Sequence, residues 1–479
     1  MNELNRKTAR EAVELLRTRQ VSPIEMVDAA LERIEETDGS VNALPTVVAE
    51  RARQHAARVE RSPISSSDSR GYLYGLPIAV KDLKDVAGVR STSGSLVFKD
   101  RIAERSDLLV ERIEDKGGIV LAKSNTPEFG AGANTFNEVF GKTRNPWDTR
   151  LTCGGSSGGS AVALATGQVW LATGSDLGGS LRIPASYCSV VGLRPSPGRV
   201  PHGPSSLPFA SLSVDGPMGR TVGDVALFLD TQAGTHPLDP ISLPAPANAY
   251  VEAVDSPKRP RRIAYSPDLG IVPVDREVRS VCEAAVKLLQ SSAVTIAEDC
   301  PDLKDSEEIF QTLRAAQFAS QYGKHVDAHS DLIKPEVIWN VEKGRALSSG
   351  EIFSAELARG ALFERTAKFF TQYDILLAPT VLVPPFDIDQ RYVTEASGVK
   401  FETYISWLIT TFALTLTACP SISIPCGFTE SGLPVGLQIV APRGREDMLL
   451  SAASIFEEMI GLTNVVPVDP IVRHHADSG

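Results

Sequence analysis

The sequence lacks the features that mark secreted, membrane-spanning and metal-stabilised proteins. Its six cysteines include no Cys-x-x-Cys pair and have no neighbouring histidines, so neither a disulfide framework nor a zinc site is predicted. Its most apolar stretches, such as residues 405–416, contain threonines and are far shorter than the ~20 residues that span a bilayer. The N-terminal segment is charged throughout, unlike a secretory signal. We therefore expect a cytoplasmic protein, and no pattern indicates a metal or a cofactor.

Basic residues are also too few to suggest a polyanionic partner. The chain has 48 Lys and Arg against 59 Asp and Glu, which gives a formal net charge of −11. Domains that bind nucleic acid usually carry a clustered positive surface, and an acidic surface does not favour anionic lipid. We therefore expect a small-molecule partner, and neither nucleic acid nor a membrane.

Helical and strand patterns alternate along most of the chain. Ser22 and Glu25 form a capping box around Pro23, which predicts a helix that ends near Gly39. The apolar run 76–80 predicts a short strand. Such alternation is typical of layered α/β folds, so we expect an α/β fold that forms one domain over residues 1–479. Further predicted helices cover 107–116, 221–230, 276–290, 350–370 and 446–459, further strands cover 119–122, 262–265, 375–378, 421–424 and 435–440, and 234–260 is predicted to be a long irregular connection.

Two glycine-serine clusters lie close together near the middle of the chain. Residues 154–160 read GGSSGGS and residues 178–180 read GGS, with one helical and one strand-like run between them. Glycine permits positive φ and a close approach of the backbone to a ligand, and consecutive N–H groups in such turns can cradle an anion. A phosphate-binding loop would end in Gly-Lys-Ser or Gly-Lys-Thr, which is missing here. The paired clusters instead favour a serine nucleophile.

A histidine base for this nucleophile is hard to find. Residues 154–158 match the loose G-x-S-x-G pattern of α/β-hydrolases, but that fold needs a histidine late in the chain. The late candidates, His474 and His475, lie in a polar tail. A serine without a histidine can use lysine as its base. The remaining histidines have no recognisable acidic partner and are interpreted as surface or loop residues: His55, His202, His236, His325 and His329.

Lys81 is the candidate base because it closes the apolar run 76–80. Burial there would lower its pKa and yield the neutral amine. Its neighbour Asp82 should point to the opposite face of the strand. Lys84, the competing lysine, lies beyond the apolar run and is expected to be exposed.

Taken together, these motifs closely resemble the amidase signature family. The resemblance rests on GLPIAVKD, GGSSGGS and GSDLGGSLRIPASYCSVVGLRP, which form a signature core at about 76–200. It extends to SNTPEFGAGANT, KTRNPWDTR, DGPMGRTVGDVALFLD, ILLAPT and CPSISIPCGFTESGLPVGLQIVAP, and it is weakest over 239–353. The fold implied is a single α/β/α domain with a large, mixed, twisted sheet flanked by helices. Dimers are common in the family, so a homodimer is one expectation.

The resemblance also implies a set of catalytic residues. The family uses a lysine after the apolar strand, a serine in a cis peptide, and a nucleophilic serine 24 residues later, which here are Lys81, Ser156 and Ser180. The nucleophile is therefore expected to be Ser180, whereas the G-x-S-x-G pattern alone would have selected Ser156. Ser157 is expected to support the triad by hydrogen bonding.

Several further residues are expected to surround this triad. Asp176 and Arg182 form a charge pair around the nucleophile turn, and fold support is at least as good an interpretation of them as a direct catalytic part. The substrate pocket is expected to include Phe129, Gly130, Ala131 and the helical stretch 352–362. The oxyanion hole is expected to use backbone N–H groups of Leu177, Gly178, Gly179 and Ser180.

These expectations define an amidase that forms an acyl-serine and releases a carboxylate with ammonia or an amine, acting on linear amides. An esterase or carbamate hydrolase with the same triad is an alternative, because an acyl-serine route tolerates several leaving groups. Another is a component of the amidotransferase that makes glutaminyl-tRNA, although Ile183 stands where such components usually carry glutamine. A non-catalytic binding protein is a third, against which the intact Lys81, Ser156 and Ser180 argue.

Overall fold

A large mixed β-sheet is the centre of the fold. The computed structural model describes residues 1–61, 70–290 and 294–473, so His474 and His475 lie outside the described residues. The strands found there are β1 (Thr46–Val47), β2 (Pro77–Lys81), β3 (Ile119–Ser124), β4 (Phe136–Asn137), β5 (Gly141–Lys142), β6 (Arg144–Asn145), β7 (Asp148–Thr152), β8 (Leu171–Asp176), β9 (Val191–Arg194), β10 (Val214–Gly219), β11 (Arg262–Tyr265), β12 (Thr295–Glu298), β13 (Ile375–Pro379), β14 (Glu395–Ala396), β15 (Val399–Lys400), β16 (Ser421–Phe428) and β17 (Pro434–Val440).

The main sheet combines parallel and antiparallel neighbours. Over the described residues its eleven strands follow the order β1-β3-β2-β8-β10-β9-β16-β17-β13-β11-β12. Strands β3, β2 and β8 are parallel, as are β13, β11 and β12, whereas the strands from β8 through β10, β9, β16 and β17 to β13 pair antiparallel. The predicted α/β class with a large mixed sheet is confirmed.

Helices flank this sheet along most of its width. Helix-to-strand packing includes α6 on β8 and β2, α7 on β16 and β17, α8 on β10, and α10 and α15 on β16. None of the helices in the described parts of the chain is long and apolar enough to cross a membrane. The helices are α1 (Glu3–Arg6), α2 (Ala9–Arg17), α3 (Pro23–Val41), α4 (Ala49–Arg61), α5 (Leu108–Asp115), α6 (Gly158–Ala165), α7 (Arg182–Cys188), α8 (Val222–Gln232), α9 (Tyr250–Asp255), α10 (Arg276–Leu289), α11 (Ser306–His329), α12 (Pro335–Ala346), α13 (Ser349–Phe369), α14 (Ile409–Leu416) and α15 (Glu446–Ile460).

Locally strong signals predicted their elements well. Helix α3 begins at Pro23 with the expected capping box, in which the Ser22 hydroxyl accepts from the Glu25 N–H at 3.2 Å and the Glu25 carboxylate accepts from the Ser22 N–H at 2.8 Å. The predicted irregular connection 234–260 contains the short helix α9, so that part of the prediction was wrong. Helices α11 and α12 were not predicted, and they lie in the stretch whose sequence is least like the family.

The topology brings the serine-rich turns to one edge of the sheet. Strands β2 and β8 are parallel neighbours, with Ile78 opposite Leu171 and Ala79 opposite Ala172. Their carboxyl ends therefore meet at the same edge, where ligand sites of open α/β sheets usually form. Lys81 is the last residue of β2 and Asp176 the last residue of β8.

Candidate active site

Lys81 lies at the centre of a cluster of serine hydroxyls. Its side chain is buried, with 1% of the residue exposed. The Lys81 backbone N–H donates to the Thr173 hydroxyl at 2.9 Å, which ties the end of β2 to β8. Three hydroxyl oxygens surround the Lys81 Nζ: Ser156 Oγ at 2.7 Å, Ser157 Oγ at 2.9 Å and Ser175 Oγ at 3.0 Å.

Burial makes the Lys81 amine far more acidic than an ordinary lysine. Loss of hydration lowers the pKa of Lys81 to about 7, because the charged form is the one that burial destabilises. Asp215 and Asp176 oppose this shift, and the positive charge of Lys84 adds to it. Among the described residues no carboxylate contacts the Nζ, so the amine has no directly paired counter-ion there. A neutral amine at this position can accept a proton from Ser156.

Ser156 is positioned by the first glycine-serine turn. The Gly155–Ser156 peptide bond is cis, as the resemblance implied, and Ser156 is 2% exposed. Gly130 packs against it: a Cβ atom added to Gly130 would lie 3.4 Å from Ser156 Oγ and 2.9 Å from the Leu83 side chain. Gly130 also has φ of +68°, a conformation that L side chains rarely adopt. Glycine at this position therefore leaves room for the Ser156 hydroxyl.

Ser180 lies in the turn between β8 and α7 and is half-buried. Its carbonyl oxygen accepts a hydrogen bond from the Ser157 N–H at 3.2 Å, which links the two glycine-serine turns. The Ser180 hydroxyl makes no hydrogen bond to any other described residue. Ser156 and Ser180 line the same cavity of about 390 Å³, so both hydroxyls are presented to one ligand-sized space.

Asp176 and Arg182 form a buried ion pair at the turn that contains Ser180. Both side chains are fully buried, and the Arg182 guanidinium donates to the Asp176 carboxylate at 2.9 and 3.0 Å. Arg194 donates to the Asp176 carbonyl oxygen. Burial alone would raise the pKa of Asp176, but Arg182 and Arg194 hold it well below its ordinary value. Neither Asp176 nor Arg182 lines the cavity. The pair therefore contacts the turn and not the cavity, and its role in function stays a prediction.

One N–H group of the expected oxyanion hole already donates a hydrogen bond within the protein. The Gly179 N–H donates to the Asp176 carboxylate at 2.8 Å, so it is not free to bind a substrate oxygen. This corrects the expected set of four donors. The backbone N–H groups of Leu177, Gly178 and Ser180 make no hydrogen bond to the rest of the described chain, and they remain the candidate donors.

One wall of the cavity that contains Ser156 and Ser180 is aromatic. Phe129 stacks on Tyr322 with ring centroids 4.5 Å apart, and Phe318 meets Tyr322 edge-on at 5.1 Å. Of the three expected pocket residues, Phe129 and Gly130 line the cavity. Ala131 does not: it is 1% exposed and belongs to a hydrophobic cluster with Phe318 and residues of α12.

A different helix from the expected one contributes to this wall. Residues 352–362, part of α13, do not line the cavity. Helix α11 does so instead, through side chains spaced three and four apart, which is the repeat of one helix face. The α11 side chains that line the cavity are Arg314, Gln317, Phe318, Gln321 and Tyr322. Sequence reasoning missed them because the stretch has little likeness to the family motifs.

Lys84 was expected to be exposed, and this expectation was wrong. It is 5% exposed, and its Nζ lies 2.8 Å from Asp215 and 3.4 Å from Asp107. Burial alone would lower the pKa of Lys84, but Asp215 and Asp107 raise it above its ordinary value. His202 was expected to lack an acidic partner, whereas its Nδ1 lies 2.8 Å from the Asp215 carboxylate. His55 likewise has one, Glu114, at 3.4 Å.

This charged group of Lys84, Asp107, His202 and Asp215 lines the cavity that contains Ser156. The only sequence signal that could have found it is Asp215 in the motif DGPMGRTV, since nothing local pairs that residue with Lys84. Asp215 reaches the site because β10 pairs antiparallel with β8, which places Asp215 opposite Ser175.

Comparisons with known proteins identify the family of this chain. The model of the Amidase family matches residues 25–450. The chain is 33% identical to an acylamidase from Rhodococcus erythropolis over 97% of this chain and 98% of that protein. It is 34% identical to the A component of the glutamyl-tRNA(Gln) amidotransferase from Moorella thermoacetica, over 95% of this chain and 97% of that protein. The crystal structure of a bacterial aryl acylamidase superposes with a TM-score of 0.90 and 27% identity, covering 97% of this chain and 99% of that one.

These matches establish the class of protein: the chain belongs to the amidase signature family of hydrolases. Its sheet and flanking helices are those of the family's α/β enzymes.

Proposed function

We propose that this protein hydrolyses linear amides through an acyl-serine intermediate, with Ser180 as nucleophile, Ser156 as proton relay and Lys81 as base. The observation that carries the proposal is the 2.7 Å contact between the buried Lys81 Nζ and the Ser156 hydroxyl. A lysine with a pKa of about 7 is half-neutral near physiological pH, which suits a general base.

The proposed reaction begins when the neutral Lys81 amine accepts the Ser156 proton, while Ser156 accepts the proton of Ser180. The Ser180 oxygen forms a bond to the carbonyl carbon, and the negative charge that develops on the carbonyl oxygen is stabilised by free backbone N–H groups of the turn. The protons return by the same route to the leaving nitrogen, the C–N bond breaks, and the amine departs. Water then attacks the acyl-serine by the reverse path and releases the carboxylate. Losing one donor to the oxyanion typically costs about 3–4 kcal/mol of transition-state stabilisation.

Two alternatives use the same residues. An esterase or carbamate hydrolase would form the same acyl-serine, and matched amide, ester and carbamate substrates would separate them by kcat/KM. A role as an amidotransferase component is supported by the similarity to the Moorella protein. Ile183, where such components usually carry glutamine, favours the independent amidase, and co-purification with other amidotransferase components would overturn that preference.

The assignment of the nucleophile can be tested by covalent labelling. A fluorophosphonate should add its mass to the tryptic peptide that contains Ser180, and Ser180→Ala should abolish both labelling and amide hydrolysis. Ser157→Ala is the matched control, because Ser157 contacts Lys81 but is not the proposed nucleophile. Labelling at another residue, or unchanged turnover by Ser180→Ala, would overturn the mechanism.

A further inference from the structure

Arg314 is a buried cation on the cavity wall without a carboxylate partner. It is 3% exposed and lies on the face of α11 that lines the cavity beside Ser156 and Ser180. Its guanidinium donates to the Asn340 side-chain carbonyl and to the Tyr404 hydroxyl, the latter at 2.5 Å, and both partners are neutral. Across the described residues, no Asp or Glu oxygen lies within 4.0 Å of it.

Most other buried arginines of the described chain pair with a carboxylate. Arg182 and Arg194 share Asp176, and Arg199 pairs with Glu446 at 3.3 Å. Arg220 also lacks a carboxylate within that distance, but it donates to the Asn5 and Lys7 carbonyls and does not line the cavity. Arg314 thus combines burial, an unneutralised charge and access to the cavity.

Nearby acidic groups are engaged elsewhere. Glu336, on the same helix as Asn340, pairs with Arg391 at 2.6 Å. Glu128 accepts from the Ser95 hydroxyl at 2.5 Å and the Lys334 N–H at 2.8 Å. Both carboxylates therefore already have hydrogen-bond or ion-pair partners other than Arg314.

The Arg314 guanidinium is also held in a fixed orientation. It lies 4.2 Å over the Phe318 ring and 5.3 Å over the Tyr404 ring, in addition to its two hydrogen bonds. A guanidinium has five N–H donors, so these two bonds leave donors for a ligand. A planar, pre-oriented and poorly hydrated cation of this kind matches a carboxylate, which gains charge-assisted hydrogen bonds.

We propose that Arg314 binds a carboxylate of the substrate, so that the preferred amides carry a carboxylate at the end of an apolar or aromatic segment. Phe318 and Tyr322, next to Arg314 on the same face of α11, would contact that segment. That the bound carboxylate belongs to an amide substrate rests on the proposed function. Binding of a carboxylate by Arg314 does not depend on it.

A binding experiment tests the anion site without catalysis. Isothermal titration calorimetry should show that 4-phenylbutyrate binds the intact chain about 10-fold or more tightly than 4-phenylbutanol, because one member of the hydrogen bond is charged. Arg314→Met should remove this preference. Tyr404→Phe is the matched control, since it loses a hydrogen bond to the guanidinium but keeps the charge, and it should retain the preference. Equal binding of both compounds to the wild type, or an undiminished preference in a folded Arg314→Met protein, would overturn the proposal.

A kinetic experiment then links the site to the reaction. The mono-4-nitroanilide of adipic acid is compared with hexanoyl 4-nitroanilide, and 4-(butyrylamino)benzoate with butyranilide, so that the carboxylate is tested on each side of the amide. In at least one pair kcat/KM should be about 10-fold higher for the acid than for the neutral anilide. Arg314→Met should remove this preference for the acid. If the neutral anilides are hydrolysed and neither pair shows a preference for the acid, the Arg314 proposal is refuted and the proposed function is not. Absence of all hydrolysis, with the binding preference intact, refutes the proposed function and leaves the anion site standing.

Discussion

Lys81 and Lys84 are three positions apart in the chain and both are buried, but the pKa values of their amines are shifted in opposite directions. The Lys81 Nζ is surrounded by serine hydroxyls, and its pKa is lowered to about 7. The Lys84 Nζ faces Asp215 at 2.8 Å, and its pKa is raised. Burial acts on both in the same direction, so the counter-ion in contact decides which lysine keeps its proton. The pKa values of the two lysines are thus shifted in opposite directions, and of the two only Lys84 lines the cavity.

The largest expected effect is the loss of activity when Lys81 is replaced. Lys81→Met should lower kcat for an amide about 10³-fold or more, because the proposed relay loses its proton acceptor. Lys81→Arg should be equally impaired, since a guanidinium remains protonated at accessible pH. Steady-state kinetics on a chromogenic anilide measures both variants. Either one working within tenfold of the wild type would show that Lys81 is not the base.

Lys84 should contribute more than Lys81 to the free energy of unfolding. Lys84→Met removes the ammonium group that lies 2.8 Å from the buried Asp215, and breaking a buried ion pair in this way typically costs about 3–5 kcal/mol. Lys81→Met removes an amine that has no directly paired carboxylate, so its loss of unfolding free energy should be smaller. Urea denaturation followed by circular dichroism compares the two proteins. Equal destabilisation would contradict the contrast drawn between the sites.

The pH profile of the wild type tests the ionisation of Lys81. Below about pH 7 the amine is protonated and cannot accept a proton, so kcat/KM should rise as pH increases through about 7. Asp215 raises the pKa of Lys81, and therefore Asp215→Asn should move this midpoint to lower pH. Lys84 lowers that pKa, so Lys84→Met should move the midpoint to higher pH. Each displacement should be about one unit or less, and shifts in the same direction would refute the electrostatic coupling.

The smallest effect concerns the hydroxyls that hold the Lys81 amine. Ser175 contributes one of the three contacts to the Nζ, at 3.0 Å, and it lies on β8 rather than in the relay. Ser175→Ala should lower kcat about 3- to 10-fold, because one neutral hydrogen bond contributes roughly 1 kcal/mol. Ser175→Thr, which keeps a hydroxyl, is the control and should recover part of the loss. No change in either variant would show that the remaining serines orient the amine alone.

Much of this arrangement was accessible from the sequence because its signals are local. The capping box at Ser22 and the apolar run before Lys81 each predicted an element to within one or two residues. The motif GGSSGGS, with its spacing to Ser180, identified the two turns that the structure brings to one cavity. The catalytic roles of these residues stay predictions until the labelling and kinetic experiments are done.

Errors arose where a residue's environment depends on partners far along the chain. Lys84 was expected to be exposed because it lies beyond the apolar run 76–80, yet its partner Asp215 is on a later strand. Residues 352–362 were expected to form a pocket wall, but the wall belongs to α11, including Arg314. Gly179 was expected in the oxyanion hole, whereas its N–H is taken by the Asp176 carboxylate.

By itself, the sequence determined the sheet-and-helix class, the elements with strong local signals, and the chemical groups available at the ends of β2 and β8. The tertiary structure decided which lysine has a lowered pKa, which N–H groups are free, and which side chains line the cavity. The physical reason is that element formation depends largely on neighbours within one or two turns, whereas ionisation and access depend on desolvation and on distances between groups that only the folded chain brings together.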